Sequence, residues 1–187
     1  MTPFDLPYVG RLRAVASDDL EMMLAWRNAP NVCANMYSQQ EIALSEHLTW
    51  WDKIKASNRD VYFIFEQGGT PLGVVSFNDI SAHQTAFWAF YASPEAPKCT
   101  GSRMETITLE YCFSQLELNK LCCEVLKFNT AVVGLHKKFG FVEEGFFQDQ
   151  RRIGTHYASV HRLAVFASQR ANRRADFLPA TPSETTS

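Results

Sequence analysis

The chain has no Cys-x-x-Cys pair, and its five cysteines are an odd number. A disulfide framework is therefore not expected, and the thiols read as reduced, as in a reducing compartment. The five histidines have no spacing that completes a metal site, so no metal is expected. Long apolar runs are missing too: no window approaches the ~18 apolar residues that span a bilayer. Met1-Thr2-Pro3-Phe4-Asp5 offers neither the basic nor the apolar stretch of a signal peptide. These absences predict a cytoplasmic protein without a membrane partner. An excess of positive charge is also lacking, since the formal net charge is −2. Nucleic acid needs a concentrated basic footprint and is not an expected partner, whereas a small polyanion needs only local charge.

What is present suffices for one domain. The 187 residues are 46% hydrophobic and include fourteen Phe, enough to build a core without disulfides. Residues 1–170 are expected to form that domain. From residue 171 the sequence turns polar, with Pro179, Pro182 and a Ser/Thr-rich end, so 171–187 is expected to be a disordered tail.

Residues 9–15 alternate as a strand. Ser17 suits a helix N-cap ahead of Leu20, Met23, Leu24 and Arg27, which share one helical face, and Pro30 ends that helix. A second helix is expected after Ser45, with Leu48, Trp51 and Ile54 on one side. Residues 61–66 and 72–80 read as strands joined at Gly68-Gly69, and 85–92 as another. There follow a helix over 102–116, a strand over 121–128, a short helix over 130–139 stopped by Gly140, and strands over 141–150 and 158–167. Hairpins mix with strand-helix units. The order predicts an α/β (equally, α+β) fold: a mixed, mainly antiparallel seven-stranded sheet flanked by about four helices.

Two stretches carry chemistry. Pro97-Lys98-Cys99-Thr100-Gly101-Ser102 leaves a strand and enters a helix. Free backbone N–H groups and the helix dipole at such a start can hold a diphosphate. Lys98 and Arg103 add charge, and Gly101 permits close approach. Cys99 must avoid positive φ or accept strain of about 1–3 kcal/mol. The bland alternative is an ordinary strand-to-helix turn. Downstream, Asn129 reads as the cap of the short helix that carries Leu135-His136-Lys137-Lys138-Phe139-Gly140-Phe141. Glu124 sits mid-strand among Leu121, Val125 and Leu126. It is either a partnered ion or a general base whose pKa burial raises.

At these residues the chain resembles the GNAT family of N-acetyltransferases. The family's pyrophosphate loop, Gln/Arg-x-x-Gly-x-Gly/Ala, falls on Ala96, Cys99 and Gly101, and only the last of these matches. The later motif, Asn129 through Phe141 with Glu144-Gly145, is closer. The resemblance covers roughly Val9 to Ala167. It implies a sheet whose central strands splay because the first of them bulges, with acetyl-CoA as co-substrate. It also implies direct attack of an amine on the thioester in a ternary complex, without a metal or an acetyl-enzyme. Ala92, Lys98, Cys99, Thr100, Gly101, Ser102, Arg103, Asn129, His136 and Lys137 are the implied cofactor-binding residues, with Asn129 on the pantetheine arm. His136 takes the place where many members have Tyr near the sulfur, and an imidazolium there can donate a proton.

A sharper likeness runs through Trp26-Arg27-Asn28, Glu46-His47-Leu48-Thr49-Trp50, residues 73–80 and Phe90-Tyr91. It is to members that N-acetylate a UDP-linked 4-amino-4,6-dideoxy sugar in pseudaminic acid biosynthesis, which serves flagellin glycosylation. It implies a UDP-amino-sugar partner held by Arg27, Asn28, His47, Trp50, Phe77, Asn78 and Tyr91. Glu124, His136 and Tyr91 are then the implied catalytic side chains, and a backbone N–H near Tyr91 or Ala92 stabilises the oxyanion. A homodimer is implied by family analogy. The alternatives are a ribosomal-protein or N-terminal peptide acetyltransferase, and a non-catalytic acyl-CoA-binding protein.

Overall fold

Gly73 has room for no side chain: a Cβ there would lie 2.6 Å from Met104 Cε and 2.8 Å from the Tyr91 carbonyl oxygen. That contact fixes how closely the longest buried helix lies on the sheet. In the computed structural model, which describes residues 2–173, an eight-stranded sheet runs in the order β1-β2-β3-β4-β5-β6-β8-β7. The strands are β1 (Phe4–Leu6), β2 (Gly10–Ala14), β3 (Val61–Gln67), β4 (Thr70–Ser81), β5 (Thr85–Ala92), β6 (Lys120–Leu126), β7 (Val142–Ile153) and β8 (His156–Phe166). All pairings are antiparallel except β5 with β6. The fold is thus a mixed α/β one with a mainly antiparallel sheet, as expected. The extra strand is β1, three residues too short to carry a readable period.

The helices are α1 (Leu20–Asn28), α2 (Pro30–Cys33), α3 (Leu44–Ala56), α4 (Thr100–Ser114), α5 (Thr130–Lys138) and α6 (Ala167–Arg173). Pro30 does close α1, but it does so by starting α2 at the position where a missing N–H costs nothing. Ser17 is not the cap; it lies inside a 3₁₀ turn, and the Ala16 amide donates to Asp19 Oδ2 at 2.8 Å instead. On α3, Leu48 is 42% exposed, while His47 and Trp51, one turn apart, are buried. α6 runs to Arg173, past the expected boundary at 170. Residues 174–187 of the expected tail lie outside the described residues.

Alternation along β3 and β4 builds two cores. Phe63, Phe65, Val75 and Phe77 face α4, packing with Met104, Ile107 and Tyr111. Ile64 and Val74 face the other way, against Leu20 and Met23 of α1 and Trp51 of α3. Each fully buried Phe contributes about 1.5–3 kcal/mol. The sheet centre is therefore held from both faces.

Candidate active site

β5 and β6 pair only at Thr85–Phe87 and Lys120–Cys122. Beyond that, each keeps only its outer neighbour: β5 stays on β4 as far as Ala92, and β6 stays on β8 as far as Leu126. A wedge opens between residues 88–92 and 123–126. β5 is regular along it. The irregular register falls at Asn78–Ser81 of β4, where Asp79 has φ +51°. The wedge therefore starts where parallel pairing stops, and not at a bulge in β5.

Ladder phase decides which amides face the wedge. Ser93 N–H donates to the Leu72 carbonyl at 2.8 Å. Alternation then turns the Tyr91 N–H toward β4 and the Phe90 and Ala92 N–H groups toward β6. Of the two expected oxyanion donors, Ala92 has the right direction and Tyr91 does not. A cavity of about 320 Å³ fills the wedge. Its wall combines Trp88 through Ser93, Cys123 through Leu126, Asn129, Val132 and His136 with Met36 and Tyr37 from the segment after α2.

Two helix starts adjoin it. Asn129 caps α5, its side chain accepting from the Val132 N–H at 3.4 Å. α4 starts from Cys99, whose φ of +72° is the strained left-handed state, at a cost of about 1–3 kcal/mol. Thr100 is 2% exposed and donates both its amide and its hydroxyl to the Pro97 carbonyl. It stiffens the turn rather than offering donors to a diphosphate. Arg103 N–H is taken by Cys99 and its Nη1 by Gln67 at 2.7 Å. The amides of Gly101 and Ser102 remain as the open donors of the first turn, with Lys98 exposed beside them. A Cβ on Gly101 would meet Leu135 at 3.5 Å and Phe90 at 3.7 Å. The helix start thus abuts the walls of the wedge. Lys137 turns elsewhere, pairing with Glu143 of β7 at 3.5 Å.

His136 is not the surface residue that its charged neighbours suggest. It is 2% exposed, with Nδ1 2.8 Å from Oε1 of Glu105, itself 0% exposed. Trp88, Phe90 and Phe141 surround the ring. Burial pushes the Glu105 carboxyl up, against the downward pull of His136. Glu105 was not predicted. Its signal was an acidic residue inside the α4 stretch Met104 to Cys112, which is buried throughout.

Glu124 is a partnered ion. Tyr37 Oη donates to its Oε2 at 2.9 Å and Arg162 Nη1 to its Oε1 at 3.1 Å. Arg151 Nη2 stands 3.9 Å away and stacks on Tyr37. With both oxygens engaged, the expected general-base role does not fit. The carboxylate instead ties the segment after α2 to β6 and β8.

A second cavity, about 520 Å³, lies on the α1–α3 side and shares Met36, Ala89, Phe90 and Tyr91 with the wedge. Arg27, His47 and Trp50 line it, as do Ile42, Tyr62, Val74 and Ser76, which were not predicted. His47 stacks on Trp50 at 4.9 Å. Burial pushes the His47 pKa down, against a pull from the Leu20 backbone, so the ring is neutral near neutral pH. Arg27 Nη2 donates to the Ser38 carbonyl at 2.7 Å. Arg27 Nη1 and His47 Nε2 are buried without a partner among the described residues. Such groups normally have one.

Three expected substrate contacts are elsewhere. Phe77 is 0% exposed in the α4-side core, because its parity on β4 is opposite to that of Val74 and Ser76. Asn78 shares their parity but is held by Tyr62 Oη at 3.0 Å and by Ser76 Oγ at 3.0 Å. Asn28 gives both ends of its amide to Ile42. Tyr91 packs with Leu20, Met23 and Val74 between the cavities. Its hydroxyl donates to the Met23 carbonyl at 3.5 Å, and burial pushes its pKa up.

A wedge between two strands, with inward amides on one side and two helix starts beside it, is the architecture of an acyl-CoA-dependent N-acetyltransferase. The chain belongs to the GNAT family: residues 11–142 match its acetyltransferase (GNAT) domain. It is similar to acetyltransferase PseH of Campylobacter jejuni, with 28% identity over 125 residues, covering 67% of this chain and 78% of that one. It is as similar to the spermidine N(1)-acetyltransferase of Vibrio cholerae, with 27% identity over 165 residues, covering 87% of this chain and 95% of the relative. The crystal structure of spermidine N-acetyltransferase from Vibrio cholerae in complex with CoA and spermine superposes with a TM-score of 0.81. That match has 26% identity and covers 86% of this chain and 97% of that one. Among the described residues no helix is long and apolar enough to cross a membrane, and no group of three metal-ligating side chains occurs.

Proposed function

We propose that this N-acetyltransferase acetylates the amine of a UDP-linked 4-amino-4,6-dideoxy sugar, the class implied by the pseudaminic acid resemblance. The observation that carries the reading is the lining of the second cavity, where Arg27 and His47 stand with the Trp50 face on which His47 stacks. A guanidinium matches a diphosphate, and a neutral imidazole on an aromatic face suits a base or sugar ring. A polyamine carries several positive charges, and Arg27 repels it.

In this reading the wedge takes the pantetheine arm, with the diphosphate at the amides of Gly101 and Ser102 near Lys98. The neutral amine reaches the thioester past Ala89, Phe90 and Tyr91, the wall common to both cavities. The Ala92 N–H meets the developing oxyanion. His136 gives a proton to the departing thiolate. Positioning of the two substrates supplies much of the rate.

A second reading, a polyamine acceptor, is favoured by Glu41 and Glu46 at the rim of the same cavity and by the Vibrio cholerae relatives. A thiol-release assay with acetyl-CoA separates the two. The panel holds UDP-amino-dideoxy sugars, spermidine and N-terminal peptides. Saturable turnover of a UDP-amino sugar is expected. Turnover of spermidine alone would replace the first reading with the second, and turnover of peptides alone would remove both.

A further inference from the structure

His136 and Glu105 stand on different helices, 31 residues apart, yet meet at 2.8 Å with almost no exposure to solvent. Glu105 occupies Nδ1. Nε2 is then the nitrogen left for the wedge, whose wall includes His136. The second oxygen of Glu105, Oε2, is buried without a partner among the described residues. Among the described residues, the imidazole is therefore the carboxyl's recorded hydrogen-bond partner. The described rings packed around His136 carry no countercharge. Trp88 and Phe90 come from β5 and Phe141 from the turn after α5. Cys123 of β6 lies in Coulombic range of Glu105, and burial pushes its thiol well above its ordinary value, so it is neutral.

We infer that Glu105 is a positioning residue for His136: it locks the ring through Nδ1 so that Nε2 faces the thioester sulfur carrying a proton. This rests on the proposed role of His136 and deepens it. One proton shared by the pair sits either on Glu105, as a carboxylic acid donating to Nδ1, or on Nδ1, as an imidazolium facing a carboxylate. In both arrangements Nε2 bears its own hydrogen. Nε2 becomes an acceptor only when it gives up its own proton and the shared one settles on Nδ1 beside a buried carboxylate, a state that desolvation disfavours at rest and that the step to the thiolate passes through. The pair thus keeps a donor on the wedge side. As the amine nitrogen bonds to the acetyl carbon and the C–S bond breaks, the thiolate takes the Nε2 proton. The surplus proton of the new amide leaves to solvent, and His136 regains one from solvent.

The test uses the full chain, without substrate first. In wild type, ring ¹⁵N–¹H correlations of His136 should show hydrogen on Nε2. In E105Q that single state should give way to averaged tautomers. An unprotonated Nε2 at neutral pH in wild type, or an identical ring pattern in E105Q, overturns the inference. The wild-type spectrum decides even if E105Q does not fold. With an acceptor that turns over, E105Q should lower kcat about 10-fold or more with the acetyl-CoA KM within about twofold, and shift the alkaline limb of kcat to lower pH. A raised KM with unchanged kcat would mean a merely structural role and overturns it too. Failure of every acceptor would count against the proposed function, and the ring spectra would still judge Glu105.

Discussion

Asn28 and Ile42 clasp each other through a complete amide exchange: Asn28 Nδ2 donates to the Ile42 carbonyl at 2.9 Å, and the Ile42 N–H donates to Asn28 Oδ1 at 3.0 Å. The clasp joins the end of α1 to the segment before α3, which brings Met36, Ser38, Gln40 and Ile42 to the second cavity, the proposed acceptor site. Two part-buried bonds of this kind contribute about 1–3 kcal/mol together. Asn28→Ala should therefore weaken acceptor binding about 5- to 150-fold while acetyl-CoA affinity changes little. Calorimetry with each substrate checks this, and equal losses for both would mean that the clasp supports the whole sheet.

The framework was legible in the sequence wherever a local signal decided it. The β-branched and aromatic stretch 85–92 reads as a strand, and β5 has those bounds, with Ala86 and Trp88 buried. α5 was bracketed by Asn129 and by Gly140, at φ +94°. What failed depended on partners distant in the chain. The parity of β4 that separates Phe77 from Ser76 is set by which face α4 covers. Glu124 meets Tyr37 across 87 positions, and His136 meets Glu105 across 31. No spacing rule carries such pairs. The Cys99 loop was the intermediate case: the strain was anticipated as a condition, and only the backbone angle shows that it is accepted.

Gly101 tests the anion site. A Cβ there meets Leu135 and Phe90 at ordinary contact distances, so Gly101→Ala should leave the fold intact and add about 0.5–1 kcal/mol of helix propensity. Gly101→Glu places a carboxylate among the donors meant for a diphosphate. It should abolish acetyl-CoA binding by calorimetry while thermal unfolding stays close to that of wild type. Unchanged affinity would remove the helix start from the cofactor site.

Glu124 separates a tether from a base by magnitude and by pH. A general base contributes about 10²–10⁴-fold, and its loss is felt most at neutral pH. A tether holding Tyr37 contributes about 5-fold at most, at every pH alike. Glu124→Gln should show the smaller, flat loss, and Tyr37→Phe should reproduce it. A deep loss that recovers at alkaline pH would restore the base.

Asp19 carries the clearest pH dependence of stability. Arg13 reaches it at 2.6 and 2.8 Å and also binds Glu66 at 2.5 Å, joining α1 to β2 and β3. Burial pushes the Asp19 carboxyl up, but the bonds from Arg13 and the Ala16 amide outweigh it, and the pKa is held below 3.8. A carboxylate with a depressed native pKa stabilises the fold fully above its unfolded value, and that contribution disappears as pH falls through the native one. Asp19→Asn should cost about 1–3 kcal/mol near neutral pH, because Arg13 loses a bidentate partner in a part-buried site. The difference from wild type should begin to shrink below about pH 3.8, where the unfolded carboxyl takes up its proton, and should be lost as pH falls through the lower native value. Denaturant unfolding at neutral and acid pH measures both quantities, and a difference that stays constant across the range would show that Asp19 acts through packing and not through its charge.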